Sequence, residues 1–121
     1  MMVPILKQGD CLIATIMAAL SDEDMRAFRE SLLDQVVRSR AHAVLIDVMA
    51  MDVLDSFATR TLREIAYMTR LRGAKTVLVG VQPEVAFAMV QLGLQLEGVT
   101  TALDLEEGLA SLNRLHRGPK R

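Results

Sequence analysis

The chain contains no tryptophan, one tyrosine and three phenylalanines, so aromatic residues make up only 3% of it. That scarcity counts against single-stranded nucleic-acid binding, which uses aromatic rings as stacking platforms. It also requires an aliphatic core, built from Leu, Val, Ile, Ala and eight Met. A charge excess is missing too, since 14 basic residues face 15 acidic ones. Arg117, Lys120 and Arg121 lie in the last five positions, and without them the balance is 11 to 15. A slightly acidic body offers no footprint for a phosphate backbone, and no nucleic-acid partner is expected. The single cysteine, Cys11, cannot form an internal disulfide. Within the β-rich run "CLIATI" it reads as a buried, reduced thiol in a cytoplasmic protein. The N-terminal "MMVPILKQGDCLIATI" is interrupted by Lys7 and Asp10, unlike a signal peptide. No stretch approaches 18 uninterrupted apolar residues, so no membrane span is expected.

The signatures of catalysis are absent as well. No Gly-rich nucleotide loop follows a strand, and "VGVQPE" lacks both the glycines and the lysine. His42 and His116 lie far apart, with no metal-ligand spacing between them. Ser56 lacks a Gly-x-Ser-x-Gly elbow, and neither His is placed to serve as its base. Asp47, Asp52 and Asp55 raise the possibility of a phospho-accepting receiver site. Such a pocket also needs acids after the first crossover strand, and there "MAALSDED" commits its acids to a helix start. Asp47 reads instead as a strand-end acceptor for loop N–H groups. A protein without enzymatic activity, cofactor or metal is the expectation.

What remains is a 121-residue chain, 51% hydrophobic, of the right size for one domain with one core. "VPIL" and "CLIATI", separated by "KQGD", suggest an opening hairpin turning at Gly9 and Asp10. Ser21 with Asp24 resembles a capping box, and Met25, Phe28, Leu32 and Val36 follow at helical spacing. "AVLIDV" reads as a central strand covered on one face. A helix from Ser56 stops at Gly73, and "KTVLVGV" is a second buried strand. Pro83 opens a third helix ending at Gly93. "VTTAL" is a short edge strand, and Asp104 with Glu107 caps a last helix marked by Leu105, Leu109 and Leu112. The order β-β-α-β-α-β-α-β-α predicts one α/β domain over residues 1–115. Its sheet is mixed but mostly parallel, with four to five strands and about four helices. Residues 116–121 form a basic tail expected to be disordered.

Two capping residues stand side by side at 55 and 56, although one helix needs only one. With Asp55 as N-cap, Ser56 becomes the first helical residue and its hydroxyl is left over. At about 100° per residue, Ala58, Leu62, Ile65, Ala66 and Thr69 share one side, the expected buried stripe. Ser56, Thr59, Arg60, Arg63 and Tyr67 fall opposite, as an exposed face rich in the residue types that anchor interfaces. Met49 and Met51, in "VMAMDVL", read as core or rim packing.

"VLIDV" followed by "VLDSFATRTL" resembles the STAS domain family (the anti-anti-sigma fold), whose members carry a strand-end Asp and then an Asp-Ser pair opening a helix. The downstream "RGAKTVLVGVQPEVAFAMVQLGLQLEGVTTALDLEEGL" is similar to the stressosome branch, of RsbS type, over nearly the whole chain. The resemblance implies that Ser56 is phosphorylated by a partner serine kinase. It also implies a non-catalytic scaffold, a dimer in isolation, that joins RsbR-like paralogues in a large hetero-oligomeric assembly. That assembly captures an RsbT-like serine kinase and releases it on phosphorylation, and an RsbX-like phosphatase reverses the mark. RsbR-type members carry a large N-terminal sensor domain, for which 121 residues leave no room. The alternative is an anti-anti-sigma factor of SpoIIAA/RsbV type that binds an anti-sigma kinase directly. Those members continue the pair with a second Ser and a Gly, where this chain has Phe57 and Ala58, which favours the stressosome reading.

Overall fold

Ser21 starts the first helix as anticipated, its hydroxyl accepting from the backbone N–H of Asp24 at 3.1 Å. Asp22, Glu23 and Asp24 crowd the first turn, where the helix dipole favours negative charge. The computed structural model describes residues 2–93, 96 and 98–117. Along the chain run β1 (Ile5–Gln8), β2 (Cys11–Thr15), α1 (Asp22–Ser39), β3 (Ala43–Asp47) and α2 (Ser56–Leu71). They are followed by β4 (Lys75–Val79), α3 (Pro83–Gln91), β5 (Thr100–Ala102) and α4 (Leu105–Arg117). Helix α4 thus includes positions 116 and 117 of the expected tail, whose remaining residues, 118–121, lie outside the described ones.

The five strands lie side by side in sequence order, β1 antiparallel to β2 and every other pair parallel. The hairpin pairs Gln8 with Cys11, so Lys7 and Gln8 belong to β1 and the turn shrinks to Gly9 and Asp10. Gly9 alone there takes positive φ (62°), the conformation a tight two-residue turn demands of its first position. Crossovers β2–α1–β3, β3–α2–β4 and β4–α3–β5 all step the same way across the sheet. Right-handed connections therefore place their three helices on one face. Strand alternation matches this. Leu12, Ala14, Val44, Ile46 and Leu78 join Leu32, Leu62, Ile65 and Met89 in one core.

Helix α4 closes the other face. Leu105, Leu109 and Leu112 pack with Cys11, Ile13, Leu45, Val77 and Val79. "AVLIDV" is therefore covered on both faces and not on one: Val44, Leu45 and Ile46 are all fully buried. An unbroken apolar run requires this, because alternate side chains point to opposite sides of a sheet. Cys11 lies in this second core, and burial, aided by the Asp10 carboxylate, pushes its thiol up to about 11. A thiol so rarely ionised is a packing residue and not a nucleophile.

Candidate functional site

The loop from β3 to α2 is shaped by its own polar groups. The Asp47 carboxylate accepts from the N–H of Met49 at 2.9 Å, and Met51 N–H donates to the Val48 carbonyl at 2.9 Å. Met51 and Leu54 are buried and pin the loop from below. From the side, the Gln82 amide donates to the Met49 carbonyl at 2.6 Å. Gly80 permits this closeness: a Cβ there would lie 2.9 Å from that of Met49, and its φ is +77°. The sheet end, the loop and the start of α3 are thus one joined surface.

That loop delivers the chain to Asp55, which caps α2. Its Oδ1 accepts from the N–H of Ala58 at 2.8 Å, and its carbonyl takes the first helical bond, from Thr59 N–H at 2.9 Å. Ser56 follows as the first helical residue, exposed, and its hydroxyl makes no hydrogen bond within the described residues. Nor do the N–H groups of Ser56 and Phe57 find a protein acceptor there, as is usual for a helix's first turn. The cap is supplied by Asp55 alone, so the fold makes no use of the Ser56 hydroxyl.

Behind Ser56 the structure divides the anticipated face. Arg60 and Tyr67 are exposed, the latter by 57%, and Arg63 is half-buried. Arg60 and Arg63 have no ion partner among the described residues. Thr59 does not belong to the exposed face: it is fully buried. The geometric reason is that Thr59 lies only about 20° around the helix from Ala66. The buried arc is wider than a single stripe because α2 packs on α1 as well as on the sheet, and it takes in Thr59 and Thr61 too. The Thr59 hydroxyl finds no partner, an arrangement that costs about 1–3 kcal/mol. Thr59→Val, which keeps the branched shape, is therefore expected to raise unfolding free energy by about 1 kcal/mol in urea titrations. A loss of stability would show that the hydroxyl has a partner in solution.

Three further features escaped the sequence pattern. Phe57 lies half-buried with the Arg26 guanidinium of α1 4.9 Å from its ring centre, whereas Ala58 is buried in the core as the helical spacing predicts. Both residues after Ser56 are thus occupied by packing. Across the same helix pair, Arg29 and Glu64 form an ion pair of 2.8 Å. Finally, Met17, Met49 and Val53 are half or more exposed on the segments that follow β2 and β3. For Met49 this is a rim position, whereas Met51 is core. Together they put apolar surface at the end of the sheet from which the chain enters α2. Within the described residues no group of three or more acidic, histidine or cysteine side chains is placed to hold a metal, and no helix is long and apolar enough to cross a membrane.

Comparison with known proteins gives this geometry its context. The family model described as STAS domain matches residues 2–108. A structure of RsbS from Moorella thermoacetica, carrying a serine-to-glutamate substitution, is 38% identical with a TM-score of 0.84, covering 96% of this chain and 98% of that one. A chain of the stressosome, described as a signal integration and transduction hub, is 37% identical with a TM-score of 0.77, covering 95% and 100%. Among curated proteins, the RsbT co-antagonist protein RsbRA of Bacillus subtilis is 32% identical over 97 residues, 80% of this chain. The chain spans about a third of the length of that relative (35%). With its Asp55–Ser56 helix start, its sheet order and these matches, the chain belongs to the STAS domain family, in the RsbS-type stressosome branch.

Proposed function

We propose that the protein is a non-catalytic stressosome subunit that, with RsbR-like paralogues, holds an RsbT-like serine kinase and lets it go when Ser56 is phosphorylated. The observation that carries this reading is the exposed, unbonded hydroxyl of Ser56 at the start of a helix already capped by Asp55. The fold has no use for that hydroxyl, whereas a kinase does. Support comes also from the relatives: one is an RsbT co-antagonist, another a component of the stressosome, and a third an RsbS in which a serine has been exchanged for glutamate. The kinase-facing surface comprises Ser56, Asp55, Arg60, Arg63 and Tyr67, joined by the exposed Met49 and Val53. Thr59 is excluded by its burial. An RsbX-like phosphatase would reset the switch at the same exposed position.

Incubation with the cognate kinase and ATP, followed by intact-mass spectrometry and peptide mapping, tests the assignment. One phosphate is expected, on Ser56, and none on Ser56→Ala. Phosphate on another residue, with Ser56 unmodified, would overturn the reading.

A further inference from the structure

At the opposite end of α2 from Ser56, a cleft of about 310 Å³ opens between the last turn of the helix, the start of β4 and the segment entering β5. Among the described residues its charged lining is basic, Arg70 and Lys75, and neither side chain has an ion partner there. The sequence carries no acid between Glu64 and Glu84. We propose that this cleft is a binding site for a compact phosphate-type oxyanion, such as a phosphate monoester or pyrophosphate, held between the Arg70 guanidinium and the Lys75 ammonium.

The ordinary role of a cation in a helix's last turn is to neutralise free carbonyls. Here two of those carbonyls are already engaged. The Thr69 carbonyl accepts from the N–H groups of Arg72 and Ala74, both at 2.9 Å, and that of Arg70 from Gly73 at 3.0 Å. The Arg70 guanidinium makes no hydrogen bond to them and lies instead across Gly98, its Nη1 3.1 Å from where a Cβ would stand. The positive φ of Gly98 (77°) and its lack of a side chain give Arg70 that place, and the Tyr67 ring, 6.0 Å from the guanidinium carbon, flanks it. An arginine so positioned presents its planar fork at little entropic cost, the geometry suited to phosphate.

The hydroxyls in the cleft are not equivalent. Thr69 donates to the Ala66 carbonyl at 3.1 Å, so in the 2.8 Å contact between Thr69 and Thr76 the donor must be Thr76. Its proton is used. Thr100, exposed at the cleft wall, keeps a hydroxyl free to donate to an anion. The cleft's size, at the lower end of the range of about 300–1,000 Å³ for ligand sites, selects a small ligand.

Titration of the full chain with pyrophosphate at physiological chloride, followed by amide NMR and calorimetry, tests the proposal. Saturable one-site binding is expected, with amide shifts concentrated at residues 73–76 and 98–100. Arg70→Gln and Lys75→Gln should each weaken it about tenfold, and the double variant should abolish it, through loss of charge-assisted contacts. Thr100→Ala, which leaves the charge unaltered, should weaken it less. All these side chains are at the surface, and circular dichroism establishes that the variants fold. Absence of saturation at millimolar pyrophosphate, undiminished binding in the double variant, or shifts spread evenly over the other arginines would each overturn it. The proposal is independent of Ser56, which lies about 20 Å away along α2.

Discussion

Once phosphorylated on Ser56, the protein is expected to bind its kinase partner on the order of a hundredfold more weakly than the unmodified chain, with its melting temperature changed by no more than a few degrees. A phosphate adds about −1.5 to −2 charges at neutral pH. The fold can take it, because the N–H groups of Ser56 and Phe57 and the guanidinium of Arg60 one turn on, all without partners among the described residues, favour an anion there. A docked partner cannot take it so easily. Asp55 and Asp52 are already exposed beside the serine, and Met49 and Val53 supply apolar contact area that a hydrated dianion would hold apart. Asp104→Ala is the useful contrast. Its carboxylate accepts from the N–H of Glu107 at 2.8 Å and caps α4 on the other face of the sheet, so its loss should lower stability by about 1 kcal/mol and leave kinase binding the less affected property. Calorimetric binding curves and thermal melts on both proteins separate the two effects. Equal affinity of phosphorylated and unmodified chains, or collapse of the fold on phosphorylation, would remove the switch.

Most of the architecture could be read along the chain because its signals are local. Ser21, Asp55, Pro83 and Asp104 each sit where a helix begins, and each leaves a mark in sequence: a capping side chain or a ring that fits the first turn. Position 56 was legible for the same reason, as the surplus residue of a doubled cap. What the pattern could not supply was the width of burial. A helical wheel divides α2 into two halves, but α2 packs on both α1 and the sheet, so its buried arc extends to Thr59. Likewise "AVLIDV" reveals its apolar content, but the second covering layer arrives from α4, some sixty residues later. Met49 and Met51 look alike in sequence. Only the loop geometry, set by Asp47 and Gln82, turns one outward and the other into the core. Contacts such as Arg26 on Phe57 and Arg70 on Gly98 join distant segments and have no local signature at all.

Gly108→Leu is expected to lower the melting temperature by about 10 °C or more, corresponding to about 3 kcal/mol in a domain of this size. Glycine inside a helix ordinarily weakens it by about 1 kcal/mol relative to alanine, so its presence in α4 needs a reason. The reason is proximity. A Cβ at position 108 would stand 2.8 Å from Cδ2 of Leu45 and 3.1 Å from Cγ2 of Val79, so α4 lies on the sheet with no room for a side chain between them. Leu45 and Val79 are fully buried, and Val79 is stiff at χ1, so neither can retreat freely. A leucine at 108 must therefore lift the helix. Lifting it exposes Leu45, Val77 and Val79, part of the apolar face that α4 covers, and the hydrogen-exchange protection of β3 and β4 should fall with it. Gly73→Ala provides the control: that glycine has φ +83°, but a Cβ added there would meet nothing within 4 Å, so backbone strain alone is at stake, about 1 kcal/mol. A Gly108→Leu protein as stable as the wild type, with β3 and β4 still protected, would mean that α4 does not lie this close to the sheet in solution.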